Sequence, residues 1–381
     1  MIIFFPFKTF PQCPSSREFY FKLLAIEKNN DLSAGEKLSG IFRLQKAFDQ
    51  CRLNNDSVYA QMLHRIGVLQ FSTGKLNEAI SYTLASIKIN TSGKKESNKK
   101  LAVKSYYNLG YYYAGLNRLK DALNYYDLCI ETGNFFKDSL TLINVIAARN
   151  RKAHIYYQTG DFQRAIEESA LGLKTAYDIK NSVITIDLFN EQAQAYAAVQ
   201  QIKNAVTDIN KASVLIAKGD YEALANNYKI KAAISEAGNN YIEAIAYYKK
   251  AIQVRSKASD PDLSDDYLDA GNALRREVIR KNTGDFSKPI SYYTESLILA
   301  QKSGNTFAAV KASNNLAAIS FRTKKYSAAL TGYHKSLLNL VLPFKNNNEL
   351  HNPTYFQCNS ISDKNFLSLL LANKTECLLY L

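Results

Sequence analysis

A recurring turn, followed by a bulky residue and then an alanine, is the feature that most constrains how this chain can fold. The first copy reads GKLNEA and ends at Ala79, and the sixth copy has proline in the alanine place. The seven copies end at Ala79, Ala122, Ala165, Ala205, Ala244, Pro289 and Ala329. Successive copies are 39 to 45 residues apart. A period near 40 predicts a solenoid of helical hairpins, in which neighbouring units share one continuous core.

The clearest unit is residues 103–130, which read VKSYYNLGYYYAGLNRLKDALNYYDLCI. Apolar side chains recur at helical spacing in each half of this segment, which predicts two amphipathic helices. Gly115 and Asn117 interrupt the periodicity and allow a turn between the helices. Gly110 and Ala122 are the small residues, one in each helix. Small side chains let helices approach closely, so we expect these two residues to mark the crossing point.

Composition supports an all-α chain that buries a core. Hydrophobic residues make up 46% of the 381 residues, which excludes a disordered protein. There are only 16 glycines and 7 prolines, fewer than the many turns of an all-β fold need. We therefore predict four segments: an N-terminal tail at 1–14, a helical cap at 15–55, seven repeats at 56–340, and a closing segment at 341–381.

The two ends of the chain have their own signals. Ser15 and Glu18 have the spacing of a capping box, which predicts that the cap begins there. One interpretation of the apolar tail before it is the remnant of a signal sequence. The closing segment is a polar loop and one apolar helix. That helix is either the first helix of an incomplete eighth repeat or a capping helix, and the sequence leaves both open.

Charge and hydropathy bear on the kind of partner. The formal net charge is +14, so nucleic acid, an anionic membrane or an acidic protein could in principle be attracted. The dense run of lysines comprises Lys94, Lys95, Lys99 and Lys100. It lacks the interleaved aromatic residues of a single-strand binder, so nucleic acid is not the expected partner. No apolar run outside the tail reaches 18 residues, so no transmembrane segment is expected.

The five cysteines do not form a metal motif. None lies in a CxxC pair, and four histidines are too few to complete a zinc site, so we expect no metal and no cofactor. Cys13 and Cys51 bracket the first predicted hairpin. A disulfide between them is one alternative, and it would imply an oxidising compartment. The expected location is the cytoplasm, with export as the alternative.

The repeats resemble the tetratricopeptide repeat. The unit at 103–130 matches that family's spacing at Tyr106, Leu109, Gly110, Tyr113, Ala122 and Tyr126. The units here are longer than the family's basic length of about 34 residues. The resemblance spans 56–340 and implies an all-α, right-handed α-α superhelix. In addition, the loop at His351 and the Leu-rich closing helix are similar to the repeat region of bacterial CHAT-domain proteins, whose caspase-like domain lies outside these residues.

In the tetratricopeptide family, the first helix of each unit lines a concave groove that binds a peptide or a partner helix. The resemblance therefore implies a set of groove residues, which are mostly polar or aromatic. These residues are His64, Lys104, Tyr107, Tyr111, Asn150, His154, Tyr157, Asp187, Asn190, Gln194, Asn226, Lys229, Lys311 and Asn314.

The sequence contains none of the common catalytic signatures, such as GxSxG, a Walker loop or HExxH. We therefore expect a non-catalytic scaffold for protein–protein interaction, whose partner is a protein or a peptide. Three alternatives stay open. The array is the sensory or regulatory arm of a CHAT-type protease, it is the sensing arm of a bacterial transcriptional regulator or sensor kinase, or its basic surface binds nucleic acid.

Overall fold

The computed structural model describes residues 13–51, 53, 56–92, 96–258, 260, 262–359, 361 and 363–381. The apolar tail through residue 12, which we interpret as a signal remnant, lies outside these ranges, as do Lys94 and Lys95. Regular structure within the described ranges is helical, which confirms the all-α prediction. No helix in these ranges is both long and apolar enough to cross a membrane.

The first nine helices are α1 Ser16–Lys28, α2 Ala34–Gln50, α3 Ser57–Ser72, α4 Leu76–Ser92, α5 Glu96–Gly115, α6 Leu119–Gly133, α7 Ser139–Gln158, α8 Phe162–Ile179 and α9 Ser182–Ala198. The remaining helices are α10 Ile202–Leu215, α11 Tyr221–Ala237, α12 Tyr241–Ala258, α13 Leu263–Lys281, α14 Ser287–Ser303, α15 Thr306–Arg322, α16 Tyr326–Leu340, α17 Tyr355–Cys358 and α18 Lys364–Leu378. The chain divides into two compact bodies after Gln192.

Consecutive helices pack as hairpins in both bodies. In the N-terminal body, α3 packs on α4, α5 on α6, and α7 on α8, and each hairpin also contacts the next. The first helices of successive hairpins touch as well, α3 against α5 and α5 against α7. In the C-terminal body, α11 packs on α12, α13 on α14, and α15 on α16. This stacking of hairpins is the solenoid architecture that the repeat predicts.

The recurring turn motif ends in an alanine in six of the seven repeats, and this alanine is a fully buried residue near the start of the second helix. Ala122 is 0% exposed and is the fourth residue of α6, and the other five alanine marks occupy the same place in their helices. Pro289 is the third residue of α14, behind the N-cap Phe286. Helix α14 thus begins one residue later, relative to this position, than the second helices of the other repeats do. The third position is tolerated because N–H groups in the first turn have no acceptor within the helix.

Each repeat turns between its two helices through a residue with positive φ. That residue lies five positions before the alanine, or before Pro289 in the sixth repeat, that ends the motif. The seven residues are Gly74, Asn117, Gly160, Gln200, Asn239, Gly284 and Lys324, with φ between 56° and 82°. Glycine and asparagine adopt this left-handed conformation most readily. The turn geometry is thus repeated even where the residue is Gln or Lys.

The N-terminal cap is a hairpin with capping boxes at both helix starts. The Ser15 side chain accepts from the backbone N–H of Glu18, as predicted, and Ser33 and Glu36 repeat the arrangement in α2. A disulfide joins Cys13 to Cys51, with their Cα atoms 5.7 Å apart. The disulfide that the sequence left as an alternative is therefore present. It closes the hairpin whose apolar face packs on α3.

The closing segment folds back onto the seventh repeat. Helix α18 packs on α16 and contacts α15, and it buries Leu367 and Leu370. Lys374 is fully buried in this helix, where its Nζ lies 2.9 Å from Oδ1 of Asn352 and also contacts the carbonyl of His351. These bonds fix the polar loop against α18. The two interpretations of this helix, an incomplete repeat or a cap, stay predictions.

Candidate functional site

The first helices of the first three repeats lie side by side in the N-terminal body, since α3 contacts α5 and α5 contacts α7. We call the groove-position side chains of α3, α5, α7 and α9 up to Gln192 the first-helix face. At the C-terminal ends of α3, α5 and α7 is a cavity of about 250 Å³, which we call the aromatic cavity. Its principal lining residues are Phe71, Tyr111, Tyr126, Arg151, His154 and Gln158. Three neighbouring hairpins therefore contribute to it.

Aromatic rings and one guanidinium form the wall of this cavity. The rings of Phe71 and Tyr111 meet edge to face with centroids 5.5 Å apart. The Arg151 guanidinium carbon lies 5.3 Å from the Tyr111 ring centroid, within cation–π distance. These contacts hold Tyr111 in place while 39% of its surface stays exposed.

Tyr126 reaches the cavity from a second helix. It lies on α6, is 0% exposed, and its hydroxyl has no hydrogen-bond partner among the described residues. Burial raises the pKa of this hydroxyl, so it remains protonated. A buried hydroxyl without a partner costs about 1–3 kcal/mol. A ligand that offered an acceptor here would remove that cost.

A histidine–carboxylate pair borders the cavity. Nδ1 of His154 lies 2.9 Å from Oε1 of Glu191, and its Nε2 lies 2.9 Å from Nε2 of Gln158. The hydrogen bond to Glu191 raises the pKa of His154. Burial raises the pKa of nearby Asp187, and the charge of Arg151 opposes that rise. The rim thus offers donors and acceptors of both signs beside aromatic surface, which suits recognition of a polypeptide.

The structure brings only part of the predicted groove set together. Tyr107, Tyr111 and His154 meet at or beside the aromatic cavity. His64 and Lys104 instead line a second cavity in the same body. The remaining predicted residues of this body are placed on α7 and α9; they are Asn150, Tyr157, Asp187 and Asn190. Gln194 follows on α9, beyond the end of the N-terminal body.

In the C-terminal body, two predicted groove residues belong to an internal ion network. Nζ of Lys229 lies 3.1 Å from Asp269 and 3.3 Å from Asp266. Oδ1 of Asn226 accepts from Arg255, which is 1% exposed and whose Nε lies 2.9 Å from Asp266. Breaking a buried ion pair is strongly destabilising. Asn226 and Lys229 therefore hold α11 to its neighbours.

The other two predicted residues of the C-terminal body lie on α15. Asn314 is buried, and the Lys311 ammonium lies 4.1 Å from the Phe307 ring centroid. No cluster of three or more His, Cys, Asp or Glu that could hold a metal ion occurs in the part of the chain that the structure describes.

Arg151 is the main site residue that the sequence prediction missed. The carried-over positions on α7 included Asn150 and His154 but not Arg151. Arg151, His154 and Gln158 recur at i, i+3 and i+7, which places them on one side of a helix. Helical periodicity applied to α7 could therefore have found it.

The fold and this face define a class of protein, the arrays of tetratricopeptide-like hairpins. The family model for the tetratricopeptide repeat matches residues 103–132 and 146–174. These two segments hold most of α5–α6 and most of α7–α8, whose side chains form most of the aromatic cavity. The resemblance to tetratricopeptide-repeat proteins is thereby confirmed.

Solved structures share the architecture at low sequence identity. Aspartyl phosphate phosphatase F from Bacillus subtilis is 11% identical, with 91% of this chain and 88% of that chain covered and a TM-score of 0.57. A tetratricopeptide repeat protein from Parabacteroides merdae is 13% identical, with coverages of 83% and 98% and a TM-score of 0.53. A Rap protein complexed with competence and sporulation factor is 13% identical, with coverages of 96% and 100% and a TM-score of 0.53. The sequence matches no curated protein.

Proposed function

We propose that this chain is a non-catalytic scaffold that binds a peptide or partner helix on the first-helix face. The aromatic cavity would take one anchoring side chain of that partner. The observation that carries the proposal is the exposed Tyr111 ring, which Phe71 and Arg151 hold in a cavity that Tyr126, with its unpartnered hydroxyl, also lines. Tyr and Arg are enriched at binding hot spots, where an anchor fills a well-packed pocket.

The chemistry of the cavity defines the anchor that it favours. Three phenyl or phenol rings and several aliphatic residues line it, its volume is about 250 Å³, and the polar side chains of Arg151, His154 and Gln158 complete the lining. A planar side chain with a hydrogen-bond acceptor would stack on the Tyr111 ring and accept from the Tyr126 hydroxyl. The structural neighbour solved with competence and sporulation factor is an example of this fold holding a bound factor.

Selection from a random peptide library on the immobilised full chain tests the proposal. Peptides that bind the wild type should lose affinity for Tyr111→Ala and Arg151→Ala. Tyr177→Ala is the matched control, because Tyr177 is 60% exposed on α8 and does not line the aromatic cavity. The assignment of the binding face would be contradicted if the selected peptides keep their affinity for Tyr111→Ala and Arg151→Ala but lose it for Tyr177→Ala.

The compartment is part of the same proposal. Because disulfides persist mainly in oxidising compartments, the Cys13–Cys51 bond favours export over the cytoplasm. Localisation of the tagged protein by cell fractionation tests this, and recovery only from the cytoplasmic fraction would contradict it. The alternatives in which the array is an arm of a CHAT-type protease, a regulator or a sensor kinase stay predictions, which the downstream gene sequence tests.

A further inference from the structure

A second cavity in the N-terminal body is built from polar and cationic side chains. We call it the polar cavity. Its volume is about 350 Å³, and α3, α4, α5 and the start of α7 surround it. The lining includes three cationic residues, Arg65, Lys100 and Lys104, and no carboxylate. The lining therefore carries a positive charge.

Two of the three cations have acidic partners outside the lining. Arg65 pairs with Glu27, and Nζ of Lys100 lies 3.0 Å from Oδ2 of Asp138. Lys104 has no carboxylate within salt-bridge distance among the described residues. Burial and the charge of Arg65 both lower the pKa of Lys104. The charge of Glu27 opposes this fall, and Lys104 is an exposed residue that forms no ion pair of its own among the described residues.

His64 lies under the same cavity with one ring nitrogen unused. The residue is 7% exposed, and its Nδ1 lies 2.8 Å from Oγ of Ser105. Its Nε2 has no partner among the described residues. Burial lowers the pKa of His64 to about 3, so the ring is neutral at physiological pH. When the Ser105 hydroxyl donates to Nδ1, the ring proton resides on Nε2 and is available to a ligand.

Asn90 is a second buried polar side chain that has an atom without a hydrogen-bond partner. It lines the polar cavity from α4, it is 1% exposed, and its Oδ1 has no hydrogen-bond partner within the described part of the chain. An amide is oriented by its hydrogen bonds, so in Asn90 either the amide nitrogen or the oxygen can face a ligand. Native proteins seldom leave such groups unpaired unless a ligand or water completes them.

We propose that the polar cavity is a binding site for an anionic group, a carboxylate or a phosphate. Lys104 supplies the positive charge, and the Asn90 amide and the His64 Nε2–H group donate hydrogen bonds to the anionic oxygens. The group could belong to a free small molecule or to an acidic side chain of a partner that lies on the first-helix face. The site does not use the aromatic cavity. Only the version in which a partner supplies the anionic group rests on the proposed function, because that partner would lie on the first-helix face.

Calorimetric titration of the full chain tests the site with three probes: inorganic phosphate, succinate and a short peptide that contains glutamate. At least one probe should bind saturably. Lys104→Gln should weaken that binding about tenfold or more, because a charge-assisted hydrogen bond is lost. Asn90→Asp, which keeps the side-chain shape but adds a negative charge, should abolish it. Lys99→Gln is the matched control, because it makes the same charge change on α5 outside the cavity.

The outcomes separate the sources of the anion. Binding of phosphate or succinate supports the site with a free small molecule as ligand. Binding of the glutamate peptide alone supports it with a partner side chain as ligand. The proposal is overturned if no probe binds, or if Lys99→Gln weakens binding as much as Lys104→Gln does. Peptide selection at Tyr111 is unaffected by these outcomes, so the two proposals fail separately.

Discussion

The Tyr126 ring of α6 packs directly on Gly110 of α5. A methyl group at Gly110 would lie 2.5 Å from Cε1 of Tyr126, closer than carbon atoms can approach. The sixth repeat has the same relationship, with Gly271 and Cε1 of Tyr293 at 2.7 Å. The absence of a side chain on the first helix thus allows a tyrosine on the second to reach across the hairpin. The close approach at Gly110 involves Tyr126, while Ala122 is buried one turn earlier on α6.

Replacement of Gly110 by alanine should destabilise the N-terminal body. Overpacking costs about 1–3 kcal/mol, partly offset by about 1 kcal/mol of helix propensity. Gly115→Ala is the matched control, because no atom lies within 4 Å of its added methyl group. Urea denaturation of the three proteins gives the comparison. A Gly110→Ala variant at least as stable as Gly115→Ala would be inconsistent with the packing of Tyr126.

The left-handed turn residues predict sites where the protein can be stabilised. Gln200 and Lys324 have φ of 63° and 61°, a conformation that costs a residue other than glycine about 1–2 kcal/mol. Gln200→Gly and Lys324→Gly should therefore raise the free energy of unfolding by up to about 1 kcal/mol, since glycine also loses more backbone entropy. Thermal denaturation measures the effect. Gly74→Ala, at the equivalent turn of the first repeat, should instead lower the free energy of unfolding. If Gln200→Gly and Lys324→Gly both destabilise the protein, the repeated turn geometry is contradicted.

The disulfide predicts a specific count of reactive thiols. Cys129, Cys358 and Cys377 are free, so alkylation of the unfolded, unreduced protein should modify three cysteines and leave Cys13 and Cys51 intact. Reduction should then expose all five and lower the stability of the cap by about 2–4 kcal/mol. Mass spectrometry gives the count, and hydrogen exchange of α1 and α2 gives the stability. Five modified cysteines before reduction would rule out the bond.

His64 predicts a particular pH dependence. Its pKa is about 3 in the folded protein, against an ordinary value of 6.5, so the unfolded state binds one more proton between these values. The free energy of unfolding should therefore rise with pH across this window, by up to about 1.4 kcal/mol per pH unit, and level off above pH 6.5. Chemical denaturation at several pH values measures the slope.

Two histidine variants identify the part of the pH dependence of the free energy of unfolding that is due to His64. His64→Gln should lack it, whereas His351→Gln, at an exposed histidine, should keep it. Between pH 4.5 and 6 the wild type should gain roughly 2 kcal/mol relative to His64→Gln. Parallel pH profiles of the wild type and His64→Gln would show that His64 is not buried as a neutral ring.

Most of the fold could be predicted from the sequence, because the recurring alanine occupies a position where the packing of two helices requires a small side chain. Ala122 and its counterparts lie where the second helix packs against the first. Their spacing therefore gives the length of the repeat, and their positions indicate where each second helix begins. The sequence leaves the position of Pro289 within its helix open, because a proline fits several positions of the first turn. The left-handed turns were readable at Gly74 and Asn117 but not at Gln200 or Lys324, where the conformation is imposed by the repeat.

The candidate site was less predictable, because it depends on contacts between repeats. Lys229 meets Asp266, a residue of the next repeat, and this pairing follows from how the hairpins stack. His64 is likewise bonded to Ser105, which lies one repeat later. The groove positions were assigned from the tetratricopeptide pattern within each repeat. They therefore could not predict pairings between side chains of neighbouring repeats. The same set placed Tyr107 and Tyr111 beside the cavity, because helical periodicity within α5 alone decides which way they face.

Photo-crosslinking from position 111 tests the central claim most directly. A photoreactive phenylalanine analogue replaces Tyr111 in one protein and Tyr177 in a control protein, and both are irradiated in the source cell. A partner bound on the first-helix face should give a discrete protein adduct from position 111 and none from position 177. No adduct from position 111, or equal adducts from both positions, would contradict the account that this face is the binding surface.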